Sequence, residues 1–194
     1  KKNISSLEQI KALNESAQKL SQRQTGLPLF VMLDQEGGNV SRLPLGFVPP
    51  SSWSLGQTQN QKAAFIAGQF TGEILKDVGI HLNLAPVYDI SNEKSRSFLG
   101  TRVFANDVKL GSNSANSFSQ GLLRAQVIPT AKHFPGHGSS QRDSHEEIAV
   151  LEKEKRAVMA EDMKIFQEVA PHTSAVMTAH IAFADSPDRI FSLD

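Results

Sequence analysis

Val127-Ile128-Pro129-Thr130-Ala131 runs directly into Lys132-His133-Phe134-Pro135-Gly136-His137-Gly138-Ser139-Ser140-Gln141-Arg142-Asp143-Ser144-His145. The opening residues are largely apolar and do not alternate, the pattern of a short strand covered on both faces. Beyond Phe134 the chain cannot continue as regular structure. Pro135 lacks a backbone donor and restricts Phe134 to extended geometry, while Gly136 and Gly138 permit angles that other residues avoid. This composition predicts a mobile loop from Pro135 to His145. Ionisable side chains on a loop at the C-terminal end of a parallel strand are where α/β barrels and open α/β sheets carry their chemistry.

Working outward, the same strand-then-helix rhythm recurs. Ser6 and Gln9 read as a capping box, followed by Leu7, Ile10, Leu13, Ala17 and Leu20 at helical spacing until Gly26-Leu27-Pro28. Leu29 to Leu33 reads as a buried strand with Asp34 at its C-terminal tip. Residues 61 to 78 read as an amphipathic helix closed by Gly79, and Ile80 to Leu84 as the next strand. A third helix is predicted from Asp107 to about Arg124, with Ala115, Phe118 and Leu122 inward and low intrinsic propensity at Gly111-Ser112-Asn113-Ser114. Residues 153 to 169 read as a helix, and Ser174 to Met177 as a strand. Such alternation with long connections implies an α/β fold with a parallel sheet and right-handed crossovers. The four strands recur every ~45 to 50 residues, so eight of them would need about twice this length, and the pattern is that of half a barrel.

Composition limits the function classes. The 194 residues carry zero formal net charge, with 39% hydrophobic and 21% charged residues, which is ordinary globular composition. Nothing in the charge balance points to nucleic acid or an anionic membrane surface. No apolar run reaches the ~20 residues needed to span a bilayer. Cysteine is absent, which removes disulfides and thiolate chemistry. The first residue is Lys1 rather than Met, leaving room for an upstream leader; a cytoplasmic location is the expectation, with periplasmic or secreted as alternatives.

Several motifs stand in order: Asp34-Gln35-Glu36-Gly37-Gly38 with Arg42; Asn83-Leu84-Ala85-Pro86-Val87 with Asp89; Arg102-Val103-Phe104; and Lys132 to Gly138 with Asp143-Ser144-His145. In these residues the chain resembles the glycoside hydrolase family 3 barrel, in its bacterial β-N-acetylglucosaminidase branch. Asn39, where the family usually has Arg, and Leu99-Gly100-Thr101 depart from the pattern. The resemblance spans nearly the whole chain. It implies a (β/α)8 TIM-barrel fold, of which residues 1 to 194 form a partial domain holding strands 2 to 5. The first strand would lie upstream of Lys1 and the sixth to eighth beyond Asp194, supplied by the same or another chain.

The implied activity is a retaining exo-glycosidase that removes terminal β-linked N-acetylglucosamine, as in peptidoglycan-derived sugars, without a cofactor or metal. The resemblance makes His145 the general acid and base with Asp143 as its dyad partner, and makes Asp34, Arg42, Arg102, Lys132 and His133 sugar contacts. The nucleophile, an Asp in a Ser-Asp-Asp type segment, does not occur before Asp194, so these residues alone are expected to be inactive.

The residues also admit other readings. Asp143-Ser144-His145 fits a solvated turn, and Asp34 fits the turn carboxylate of the Gly37-Gly38 bend. Arg42, Arg102, Lys132 and His133 fit salt bridges to Asp34, Glu36 or Asp89. His180, after the last strand, reads equally as a pocket residue or a satisfied core histidine. His133 and His137 have zincin-like spacing, but Pro135-Gly136 breaks the helix such a site needs, and a loop-borne site with Asp143 and His145 is what a metal reading leaves. Three alternatives to the glycosidase therefore stay open: a non-catalytic sugar-binding domain, a β-glucosidase-type hydrolase of the same family, and a metal-dependent hydrolase.

Overall fold

The computed structural model describes residues 3–140, 149–169 and 173–193. Asp143 and His145 lie outside them. The helices are α1 (Leu7–Thr25), α2 (Ser52–Gln57), α3 (Gln61–Asp77), α4 (Val108–Arg124), α5 (Lys155–Ala160) and α6 (Lys164–Val169). The strands are β1 (Met32–Leu33), β2 (Leu82–Asn83), β3 (Ile128–Phe134), β4 (Ala149–Val150), β5 (Ala175–Thr178) and β6 (Ile181–Ala182). A four-stranded sheet has the order β1-β2-β3-β5 and is parallel throughout. Each new strand joins the far side of its predecessor, and no reversal of order creates the switch point of an open doubly wound sheet. β4 and β6 pair in parallel as a separate short ribbon that the sequence reading does not anticipate.

Helix ends follow local chemistry. Ser6 caps α1 by accepting the Gln9 N–H at 3.1 Å, while the Gln9 side chain accepts from the Ser5 N–H rather than from Ser6 as a strict capping box would. Gly26, at φ 73°, donates to the Gln22 carbonyl and ends the helix. Asn60 and Asp107 cap α3 and α4 through their side-chain oxygens.

The small residues of α4 have a packing purpose that their low helix propensity hides. Gly111, Ser112, Ser114, Ala115, Ser117, Ser119 and Gly121 are all buried. A Cβ on Gly121 would sit 2.2 Å from the Phe65 carbonyl oxygen, and one on Gly68 would sit 2.1 Å from that of Phe118. α3 and α4 therefore approach backbone to backbone, and the lost propensity of about 1 kcal/mol per glycine is offset by close packing. Their apolar faces join Leu75, Val78, Tyr88, Phe104, Phe118, Leu122, Ile165 and Phe166 in the main core.

The predicted helix over 153 to 169 is split into α5 and α6. Between them Glu161 and Asp162 accept from the Lys153 ammonium at 2.8 and 3.1 Å, and Asp162 also accepts from the Ser139 hydroxyl at 2.6 Å. These tertiary bonds draw the turn toward β3 and outweigh local helix preference.

Residues 135–140, the part of the predicted mobile loop that is described, are buried and anchored. Gly138 has the Ile90 carbonyl oxygen 1.8 Å from where a Cβ would stand, and Gly136, at φ 135°, packs against Asp162. His137 donates its backbone N–H to Asp89 at 2.7 Å, and Ser140 forms a bridge with Leu151. Here the glycines serve close approach, not mobility. Among the described residues, no helix is long and apolar enough to cross a membrane.

Candidate active site

The C-terminal ends of β1, β3 and β5 open onto one cavity of about 520 Å³, within the range of small-molecule sites. Asp34, Arg42, Arg102, Lys132 and His133 all line it, as does His180. Five positions scattered over about 100 residues of sequence thus meet at one place.

Asp34 follows β1 directly, and the chain then turns sharply. The turn is locked by the buried Gln35, whose side-chain oxygen accepts the backbone N–H groups of Arg42 and Leu43 at 2.8 and 3.3 Å. Gln35 and Asn83 exchange two hydrogen bonds, which tie the tip of β1 to the tip of β2. Gly37 has φ 92°, and a Cβ there would lie 2.3 Å from the Pro50 carbonyl oxygen, so only glycine fits. This geometry turns Glu36 inward while Asp34 stays half-buried at the cavity wall.

Glu36 is the hub. Its carboxylate takes a bidentate pair from Arg102, with Nε and Nη2 both at 2.9 Å, and lies 2.7 Å from Lys132 Nζ. Lys132 also donates to Asp34 at 2.7 Å. The Lys132 and Glu36 side chains are 2% and 1% exposed, so each charge depends on its partners for solvation. Burial alone pushes the Glu36 carboxyl up, yet the hydrogen bonds and charges of Arg102 and Lys132 together outweigh it and hold the group below its ordinary value.

Lys132 and His133 both reach the cavity although they are neighbours on a strand. Pairing with β5 runs Lys132 to Met177 and Phe134 to Thr178, so two residues of β3 oppose one of β5. This bulge re-aims one side chain to the face its neighbour uses. His133 in turn is held from behind by Asp89, with Nδ1 2.6 Å from Oδ2. The second Asp89 oxygen accepts the His137 N–H, and the carboxylate is fully buried. Burial pushes the Asp89 carboxyl up, but the charge and hydrogen bond of His133, aided by His137, prevail and hold it below its ordinary value. Arg102 Nη2 approaches His133 Nε2 at 3.5 Å, at the edge of hydrogen-bond range.

The salt-bridge reading and the cavity reading are therefore both realised for Arg102, Lys132 and His133. Arg42 makes no ion pair among the described residues and is exposed at the cavity rim beside Asn39. The turn-carboxylate reading of Asp34 fails, because the bend is held by Gln35 and Asp34 bonds Lys132 instead. His180 is exposed, not a core histidine. The sequence names Glu36 and Asp89 only as salt-bridge partners; the signal for their central place is that buried cations need buried carboxylates. Among the described residues, no three His, Asp or Glu side chains gather as a metal site, and the metal alternative also involves Asp143 and His145, outside those residues.

A cavity with one half-exposed carboxylate and several fixed cationic donors suits a small polyhydroxylated ligand, which offers both donors and acceptors. Comparison with known proteins agrees in fold and sequence. A β-hexosaminidase of Idiomarina loihiensis is 34% identical over 187 residues, which cover 94% of this chain and 55% of that protein. One of Haemophilus influenzae is 33% identical over 191 residues, covering 94% and 52%. The family 3 β-N-acetylglucosaminidase structure from Paenibacillus sp. FPU-7 superposes with a TM-score of 0.89 at 31% identity, over 97% of this chain and 36% of that one. NagZ from Neisseria gonorrhoeae, in complex with N-trifluoroacetyl-D-glucosamine, gives 0.83 at 28% identity, over 93% and 55%. The chain spans about half the length of the curated relatives it matches. The fold is α/β of the (β/α)8-barrel type, and the described sheet supplies four consecutive strands of it. The model of the glycosyl hydrolase family 3 N-terminal domain matches residues 1–194, and the chain belongs to that family.

Proposed function

We propose that the protein is a retaining exo-acting β-N-acetylhexosaminidase that removes terminal β-linked N-acetylglucosamine, with peptidoglycan-derived sugars as the substrate source. The observation that carries this reading is the Asp34–Lys132–Glu36–Arg102 network, which offers sugar hydroxyls an acceptor and two cationic donors at the cavity. In this reading Asp34 accepts from sugar hydroxyls, and Lys132, Arg102, His133 and Arg42 donate to ring substituents. The Asp89 contact fixes the His133 ring so that Nε2 faces the sugar. The related β-hexosaminidases and the N-trifluoroacetyl-D-glucosamine complex of the Neisseria protein support the choice of sugar.

His145, paired with Asp143, would protonate the leaving oxygen and then deprotonate the attacking water. An Asp nucleophile, outside the residues assigned to the site, would form the covalent glycosyl intermediate whose hydrolysis gives net retention. The test is His145→Ala in the whole protein, assayed on an activated aryl β-N-acetylglucosaminide and on a disaccharide with a poor leaving group. The disaccharide is expected to lose about 100-fold or more in rate and the aryl glycoside much less, since its leaving group needs little protonation. Equal losses on both would contradict the acid role.

A further inference from the structure

Apart from the network around Glu36, the end of β5 brings one more titratable side chain to the cavity. His180 follows β5 by two residues and lines the same cavity as Asp34 and Lys132. Its Nδ1 lies 2.5 Å from the Ser192 hydroxyl. Ser192 belongs to the short 3-10 turn Phe191–Leu193, and that turn is pinned in place. The Phe191 ring packs at 5.8 Å from Phe134 of β3 and at 5.7 Å from Phe183, while the Leu193 N–H donates to the Ile190 carbonyl at 2.9 Å. An aromatic anchor thus fixes a hydroxyl, and the hydroxyl orients an imidazole at the cavity wall.

With Nδ1 engaged, Nε2 makes no hydrogen bond among the described residues. A serine hydroxyl both donates and accepts, so either neutral tautomer satisfies the Nδ1 contact. If Nδ1 accepts, Nε2–H is a donor; if Nδ1–H donates, Nε2 is an acceptor. A sugar hydroxyl matches both cases, whereas a carboxylate or phosphate matches only the first. The exposure of His180 leaves it little to contribute to the core.

We infer that His180, oriented by Ser192, contacts substrate and hydrogen-bonds a hydroxyl of the bound saccharide through Nε2. The inference rests on the reading of the cavity as a sugar site. In the whole protein, His180→Ala, His180→Gln, Ser192→Ala and the double alanine variant are compared by kcat/KM on an aryl β-N-acetylglucosaminide, by the inhibition constant of free N-acetylglucosamine, and by thermal midpoint. His180→Ala should lower kcat/KM about tenfold and weaken N-acetylglucosamine to a similar extent, as loss of one hydrogen bond implies, with the midpoint unchanged. His180→Gln should recover part of the loss. Ser192→Ala should cost about threefold, and the double variant should be no worse than His180→Ala, because the hydroxyl acts only through the ring. A His180→Ala protein within twofold of wild type in both rate and binding overturns the contact, and multiplicative losses in the double variant overturn the positioning by Ser192. A wild-type protein that neither hydrolyses the glycoside nor binds N-acetylglucosamine overturns the sugar-site reading and this inference with it, whereas an active wild type with an indifferent His180→Ala overturns this inference alone.

Discussion

Asp89→Asn isolates the buried support behind the cavity. The Asp89 carboxylate accepts from the His133 ring at 2.6 Å, from the His133 backbone at 3.3 Å and from the His137 backbone at 2.7 Å, with no exposure to water. An asparagine keeps one of the two oxygens and puts an NH2 group against a donor on the other side. Losing one charge-assisted bond costs about 1.5–3 kcal/mol, and the orphaned buried N–H adds about 1–3 kcal/mol, so a loss near 3 kcal/mol is expected after partial relaxation. In urea unfolding at pH 7, with a slope of ~2–3 kcal/mol per molar, the midpoint should fall by about 1–1.5 M. The folded-state value of Asp89 lies below its ordinary 3.8. Its contribution is therefore complete above that value and is lost as pH falls through the folded-state value, so the gap between wild type and variant should narrow on acidification below about pH 4. A gap under 1 kcal/mol at pH 7, or one that widens in acid, would refute the assignment of Asp89 as an ionised buried acceptor.

Glu36→Gln removes the carboxylate shared by Arg102 and Lys132 and leaves both cations short of a partner, so a loss of about 3–5 kcal/mol is expected, read as a drop of roughly 10 °C in thermal midpoint. A midpoint within 3 °C of wild type would show that the cations are solvated some other way. Gly138→Ala places a methyl 1.8 Å from the Ile90 carbonyl oxygen and should cost more than about 2 kcal/mol by backbone displacement. Gly46→Ala, where nothing lies within 4 Å and only the positive φ of 74° opposes the substitution, should cost about 1 kcal/mol; equal costs in denaturant would remove the close-approach argument.

Much of the fold is readable because its signals are local. Ser6, Gly26, Gly79 and Asp107 mark helix ends by hydrogen bonding and backbone freedom within a few residues, and the structure places helix boundaries within two residues of them. The four main strands overlap the predicted runs, with β3 extending three residues and β5 one residue past theirs, although β1 and β2 pair over only two residues each. The less legible features share a cause. Gly136, Gly138 and the small residues of α4 look like flexibility or weak helix propensity in isolation, but their purpose is set by Asp162, Ile90 and Phe65, which are distant in sequence. The break between α5 and α6 likewise depends on Lys153 and Ser139, outside the helical pattern itself.

For the site, Asp34, Lys132 and His133 stand out at strand ends and Arg42 and Arg102 come from the family resemblance, but the division of labour within the cavity depends on burial. Both Asp34 and Glu36 are carboxylates near Lys132; the family resemblance makes Asp34 a sugar contact and the sequence leaves Glu36 only as a salt-bridge partner, with no physical reason for the difference. Glu36 is 1% exposed and spends its oxygens on Arg102 and Lys132, whereas the Asp34 side chain is 36% exposed and bonds Lys132 through a single oxygen. Glu36 therefore holds the cations and Asp34 has lone pairs left for a ligand. The same distinction separates Lys132, 2% exposed and pinned between two carboxylates, from Arg42, which is exposed and makes no described ion pair. A cation already fixed by buried partners loses little conformational entropy when a ligand arrives; a solvated one must be ordered at that moment. Salt bridging and ligand contact are thus compatible roles for Lys132 and Arg102: the first sets the geometry that makes the second inexpensive.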